Sequence, residues 1–97
     1  MAVIEIVRFR PKPGVADEEM AEVNERFQRV VAPVLPDLER REATRTDDGE
    51  WVLVLRYGDG ESAARAMGSD TSEVSGRLMS LIDMATLSVS RSGVVSE

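Results

Sequence analysis

The chain carries short runs of apolar residues broken by prolines and glycines, and one longer run in which apolar residues recur three and four positions apart. Residues 2–10, AVIEIVRFR, are rich in β-branched and aromatic types with no breaker, which predicts a strand. Pro11, Pro13 and Gly14 end it, because proline removes a ladder donor and glycine admits a turn. Asp17 then offers an N-cap, with Glu18 and Glu19 placing negative charge on the first helical turn. Met20, Val23, Phe27, Val30, Val31 and Val34 come next at the spacing of one helix face, with Arg26 and Arg29 on the other side. Pro33 and Pro36 stop that helix.

Residues 38–46, LERREATRT, predict a second strand despite their charge, and Asp47-Asp48-Gly49 marks a hairpin turn that tolerates positive φ. Residues 51–57, WVLVLRY, are apolar on both faces, as expected of a central strand. Gly58 and Gly60 break it, and Glu61 to Met67 predict a short helix ended by Gly68. Val74, Leu78, Leu81 and Ile82 mark one face of a further helix over 72–82, and residues 85–91, ATLSVSR, alternate as a half-exposed strand. Residues 1–91 therefore read as one domain, with 92–97 as a tail.

The order β-α-β-β-α-β with right-handed crossovers implies an α+β ferredoxin-like sandwich: a four-stranded antiparallel sheet with the helices on one face. Trp51, Leu53, Leu55 and Tyr57 alternate with Val52 and Val54, so the face without helices is apolar as well. Soluble monomers rarely expose such a patch, and a second copy of the chain would cover it; a homodimer is the expectation.

Composition narrows the chemistry. Eighteen acidic against twelve basic residues leave a net charge of −6, which disfavours nucleic acid and anionic membrane surfaces as partners. The nearest basic cluster, Arg40, Arg41 and Arg45, is interrupted by Glu39 and Glu42. No apolar run approaches the ~20 residues of a membrane span. Residues 2–7 are too short for a signal core and contain Glu5, so a cytoplasmic location is expected. The chain has no cysteine and no histidine, which removes disulfides, thiol nucleophiles, Cys-ligated metals and the commonest general base. No cofactor and no metal are expected. Asp47 and Asp48 look like a metal pair only until the hairpin tip explains them.

The stretches IEIVRFRPKPG, LERREATRTDDGEWVLVLRYGDGESAARAM and LMSLID resemble small bacterial dimeric α/β-barrel proteins related to the antibiotic biosynthesis monooxygenases. The likeness runs from about residue 3 to 91. It implies a dimeric α/β barrel closed by two sheets, with a pocket between sheet and helices in each subunit. It also implies cofactor-free chemistry of oxygenase, isomerase or cyclase type, or a ligand-binding role without catalysis. The haem-degrading branch fits poorly. Its first-strand asparagine is replaced by Ile6 or Val7, and its pocket tryptophan is matched by Tyr57. Its iron-binding histidine follows a Ser-Asp step, present here as Ser69-Asp70, but the matching position falls near Ser75 or Gly76.

Each candidate residue has two readings. Glu5 and Arg8 interrupt an apolar strand: Glu5 is either the base on a polar pocket floor or half of a cross-strand ion pair with Arg41 or Arg56. Tyr57 and Trp51 line a pocket or fill the core, and Tyr57, ending a strand beside the helices, is the better pocket residue. Arg56 points opposite to Tyr57 and either binds an anionic substrate or pairs with Glu42 or Glu5. Asn24 sits on the inward side of the first helix, as structure or as a substrate contact. Asp83 reads as a turn residue. The functional reading assigns Tyr57 and Glu5 to catalysis of cofactor-independent oxygenation, and Trp51, Arg56, Asn24 and Arg8 to binding a small organic molecule. A catalytic pocket would hold a cavity with converged polar groups, whereas a structural dimer would fill it with Trp51 and Met79.

Overall fold

Four strands and three helices make up the computed structural model, which describes residues 1–69 and 72–97. The order is β1 (Val3–Pro11), α1 (Asp17–Arg26), β2 (Leu38–Arg45), β3 (Trp51–Tyr57), α2 (Gly60–Ser69), α3 (Glu73–Leu81) and β4 (Ile82–Gly93). The strands form one antiparallel sheet ordered β2-β3-β1-β4, so β3 fills the gap between the parallel pair β1 and β2. This is the α+β ferredoxin-like arrangement that the element order implies. No helix among the described residues is long and apolar enough to cross a membrane.

Where the elements differ from expectation, backbone chemistry explains it. Ala16, not Asp17, occupies the N-cap of α1, and Asp17 joins Glu18 and Glu19 in the acidic first turn. The α-helix ends at Arg26 and continues as a π turn, Phe27–Val31, and a 3-10 turn, Ala32–Val34. Pro33 has no N–H to close an ordinary helical bond, and the Ala32 N–H reaches back to the Phe27 carbonyl instead. The wider turn rotates the residues after it. Val31 is buried, but Val30 and Val34, expected on the inward face, are exposed. Gly68 does not stop α2, which runs to Ser69. β4 begins directly after α3 at Ile82, three residues before the expected strand, so Asp83 lies within it. There the β1–β4 register slips between Arg8 and Arg10, and the Asp83 carboxylate accepts the Ala85 N–H.

Side-chain alternation divides the sheet into two surfaces. Glu5, Phe9, Arg41 and the four residues Trp51, Leu53, Leu55 and Tyr57 are buried beneath the helices, with Met20, Val23, Leu78 and Leu81 packed over them. On the other face Ile4, Ile6, Val52 and Val54 form a half-buried apolar centre. Ion pairs frame it: Arg8–Glu50 at 3.3 Å, Arg40–Glu42 at 3.1 Å and Arg56–Glu39 at 2.9 Å, with Arg56 also meeting Glu97. Ser88, Ser90 and Ser92 of β4 lie beside Arg8, Ile6 and Ile4. The apolar patch is thus narrower than the alternation in β3 alone suggests.

The β2–β3 hairpin is tied to β1 through its tip. Gly49 adopts φ +93°, which glycine allows without strain. Asp48 accepts from the Thr46 hydroxyl and from Arg10, at 2.9 Å in the second case. Those hydrogen bonds, Thr46 first, hold the Asp48 carboxyl below its usual 3.8. A depressed carboxylate value means that Asp48 adds stability above pH 3.8, lost as the pH falls through its folded-state value. Urea midpoints measured between neutral pH and pH 3 should therefore fall less steeply in Asp48→Asn than in the parent chain.

Candidate functional site

One row of the sheet organises the buried polar groups. Glu5 of β1 pairs across to Leu55 of β3 on one side and Arg91 of β4 on the other, and Leu55 pairs in turn with Arg41 of β2. The row Arg91, Glu5, Leu55, Arg41 crosses the whole sheet on the helix side. Adjacent strands lie about 4.8 Å apart, so Glu5 and Arg41 are held two spacings apart with a leucine between them. Glu5 therefore pairs with Arg91 at 2.6 Å and not with Arg41. Glu42 and Arg56 point to the opposite face, and Arg56 takes Glu39 and Glu97 as partners instead of Glu42 or Glu5.

Beside Glu5 lies a cavity of about 390 Å³ between the sheet and the helices. Its walls are apolar: Leu53, Leu55, Leu78, Ile82 and Leu87 contribute, with Phe27 and Leu35 closing the α1 side. Among the described residues, three polar ones face it, Glu5, Tyr57 and Ser75. Glu5 and Tyr57 are 3% and 2% exposed. Tyr57 is placed by the end of β3, where the Gly58 N–H binds the Asp37 carbonyl at 2.9 Å and turns the chain toward α2. Ser62 then fastens α2 to that turn, donating its N–H to Asp59 at 2.7 Å and its hydroxyl to Asp37 at 2.6 Å. Met79 and Val89, the half-exposed members of the wall, lie where the cavity meets solvent.

A second concavity, an open groove of about 770 Å³, runs between α1 and the edge strand β2. Arg41 lies at its base, 6% exposed. Its guanidinium donates to Asn24 Oδ1 at 2.7 Å and to Gln28 Oε1 at 3.2 Å, and it stacks 4.4 Å from the centre of the Phe27 ring. Asn24 is aimed by its own amide, which donates to the Met20 carbonyl at 3.0 Å. Burial lowers the Arg41 pKa to about 10, opposed by the neighbouring Tyr57. Trp51 lines the same groove, and its indole Nε1 is buried with no hydrogen-bond partner among the described residues.

The residues singled out in the sequence thus fall into three places. Glu5 and Tyr57 meet in the cavity; Trp51 and Asn24 stand beside Arg41 in the groove; Arg56 and Arg8 lie on the open sheet face. Neither Trp51 nor Met79 fills the cavity. Three residues escaped sequence reasoning in their present roles: Arg91 as partner of Glu5, Ser75 in the cavity wall, and Arg41 as a buried cation. Strict alternation along β2 would set Leu38 and Arg41, three positions apart, on opposite faces. The register shift between Leu38 and Arg40 turns both toward the helices, and no residue type in that strand announces it. Asp70 of the Ser69-Asp70 step lies outside the described residues. At the position of the haem ligand, Ser75 and Gly76 supply at most a hydroxyl, which does not match an imidazole donor.

No protein-family model and no curated protein sequence matches the chain. Solved structures do. Rv0793 from Mycobacterium tuberculosis superposes with a TM-score of 0.75 at 19% identity, covering 100% of this chain and 98% of that one. SnoaB from Streptomyces nogalater, a cofactor-independent oxygenase, gives 0.78 at 19% identity over 99% and 95% of the two chains. A candidate antibiotic biosynthesis monooxygenase from Caulobacter crescentus gives 0.79 at 12% identity over 98% and 91%. The chain has the fold of these proteins, end to end.

The Glu5–Arg91 pair has an asymmetric energetic consequence. Replacing Arg91 strands a buried carboxylate, whereas Glu5→Gln leaves a neutral amide that Arg91 can still meet. Arg91→Met is expected to cost about 2–3 kcal/mol of unfolding free energy and Glu5→Gln about 1 kcal/mol or less, read from urea denaturation.

Proposed function

We propose that the cavity at Glu5 and Tyr57 binds a flat, largely apolar molecule carrying one acidic hydroxyl or C–H, and oxygenates it with molecular oxygen and no cofactor. The observation that carries this reading is a buried carboxylate and a buried phenol facing one apolar cavity of about 390 Å³. That size lies within the range of small-molecule sites, and apolar walls with few polar groups suit an aromatic or polyketide-type substrate. The shared fold with SnoaB supports the reaction class.

In this scheme Glu5 takes the proton, and Arg91 at 2.6 Å keeps the carboxylate in one orientation. Tyr57 contacts the substrate oxygen on which negative charge gathers. The resulting carbanion passes one electron to O₂, the two radicals join through a new C–O bond, Glu5 returns its proton to the peroxide anion, and the hydroperoxide loses water. The balance is R₂CH₂ plus O₂ to R₂C=O plus H₂O, so the substrate itself supplies the electrons. Dry walls protect the anion from reprotonation by solvent. A second reading, binding without turnover, draws on the ion pair itself, because a carboxylate held by Arg91 can serve to orient a ligand.

The test uses dithranol, a tricyclic phenol with an acidic methylene, and an oxygen electrode. Saturable oxygen uptake above the uncatalysed rate is expected, falling about 100-fold in Glu5→Gln and in Tyr57→Phe. Saturable binding without uptake selects the second reading, and neither binding nor uptake sinks both.

We also propose that a second copy of the chain covers Ile4, Ile6, Val52 and Val54, making the homodimeric α/β barrel that the resemblance implies. Native mass spectrometry should return a two-chain mass. Ile6→Lys, which puts a charge at the centre of that patch, should return one chain; a parent chain that is already monomeric overturns the assignment.

A further inference from the structure

Arg41 poses a problem that neither the cavity nor the fold solves. A buried cation is costly unless an opposite charge meets it. Arg8, Arg40, Arg56 and Arg91 each have a carboxylate within reach, yet none pairs with Arg41 among the described residues. Its partners are the neutral amides of Asn24 and Gln28 and the face of Phe27. Those amides engage one N–H on each terminal nitrogen, leaving the other two and Nε–H, a planar fork suited to a carboxylate. Leu55 keeps Glu5 away, as the row across the sheet requires.

A second unmet donor lies in the same groove. Trp51 is 6% exposed, and its Nε1–H has no acceptor among the described residues. A buried indole N–H normally finds one. A buried cation with no counter-charge among the described residues, at the base of an open groove, calls for an acceptor that carries negative charge. Ala21 and Ala43 give the groove apolar walls beside Trp51. Glu25 and Glu42, tied to arginines at 3.4 Å and 3.1 Å, and Arg45, tied to Asp17 at 2.6 Å, line it as paired charges, so Arg41 is the one left unbalanced among the lining residues described, which suits a singly charged anion.

We infer that the α1–β2 groove is a binding site for a small monocarboxylate with an apolar body, distinct from the cavity at Glu5. The carboxylate lies on Arg41, and the apolar body rests along Ala21, Ala43 and the Trp51 ring. Phe27 stacks on Arg41 and also walls the cavity.

The chain has one tryptophan, so its ¹H–¹⁵N spectrum holds one indole signal, a direct reporter. Titration with cyclohexanecarboxylate, whose ring lies against Trp51, should move that signal and saturate. Cyclohexanecarboxamide, of the same shape without charge, and inorganic phosphate should each bind at least about tenfold more weakly. Arg41→Gln should weaken carboxylate binding by about tenfold or more. Ala21→Glu is the second variant: it changes an exposed helix position on the groove wall, spares the core, and sets a fixed negative charge where the ligand would lie. It should abolish the response. No saturable displacement, an equal response to the amide, or an undiminished response in Ala21→Glu overturns the site; an equal response to phosphate overturns the choice of carboxylate.

Discussion

Leu55 stands between Glu5 and Arg41, and much of the chemistry of this protein depends on that separation. Were the two charges on adjacent strands, they would neutralise one another in the core and leave neither concavity with a charge of its own at its floor. Strand order prevents it. β3 lies between β1 and β2, so the carboxylate must look outward to β4 and finds Arg91, while the guanidinium must look outward to α1 and finds two amides and a ring. Two polar centres result, on either side of a leucine, each at the floor of its own concavity.

The two centres differ in what surrounds them. The cavity at Glu5 is lined by apolar side chains between the sheet and the helices and opens past Met79 and Val89. The groove at Arg41 is open and rimmed by charges, which suits recognition and rapid exchange. The π turn links them. By ending the regular helix at Arg26 it sets Phe27 against Arg41 and against the cavity wall at once. Helical irregularities of this kind recur at functional sites, and here the irregularity stems from Pro33.

Much of the fold was legible because local signals agreed with the global arrangement. The apolar run of 51–57, the Asp-Gly turn, and Met20, Val23 and Val31 on one helix face each behave as their spacing predicts. The misreadings have local causes of a different kind. Val30 and Val34 face solvent because a missing proline N–H changed the helical repeat, a consequence that a count of threes and fours does not register. Asp83 lies within a strand because the β1–β4 ladder begins immediately after α3, and a lone aspartate after a helix gives no sign of that.

The site was legible residue by residue but not as a site. The amino-acid order alone determined which strands are central, that both faces of β3 are apolar, that Tyr57 and Arg56 point apart, and that Glu5 interrupts a buried segment. Those facts rest on alternation within one strand, which each sequence carries by itself. Which charge meets which depended on register between strands, and register is a tertiary quantity: one step of slip would carry Arg41 to the other face and bring Glu42 inward. Only the assembled sheet therefore decided that Glu5 meets an arginine, that Arg41 meets amides and no carboxylate among the described residues, and that a tryptophan read as a pocket residue belongs to a different hollow from the tyrosine it was grouped with.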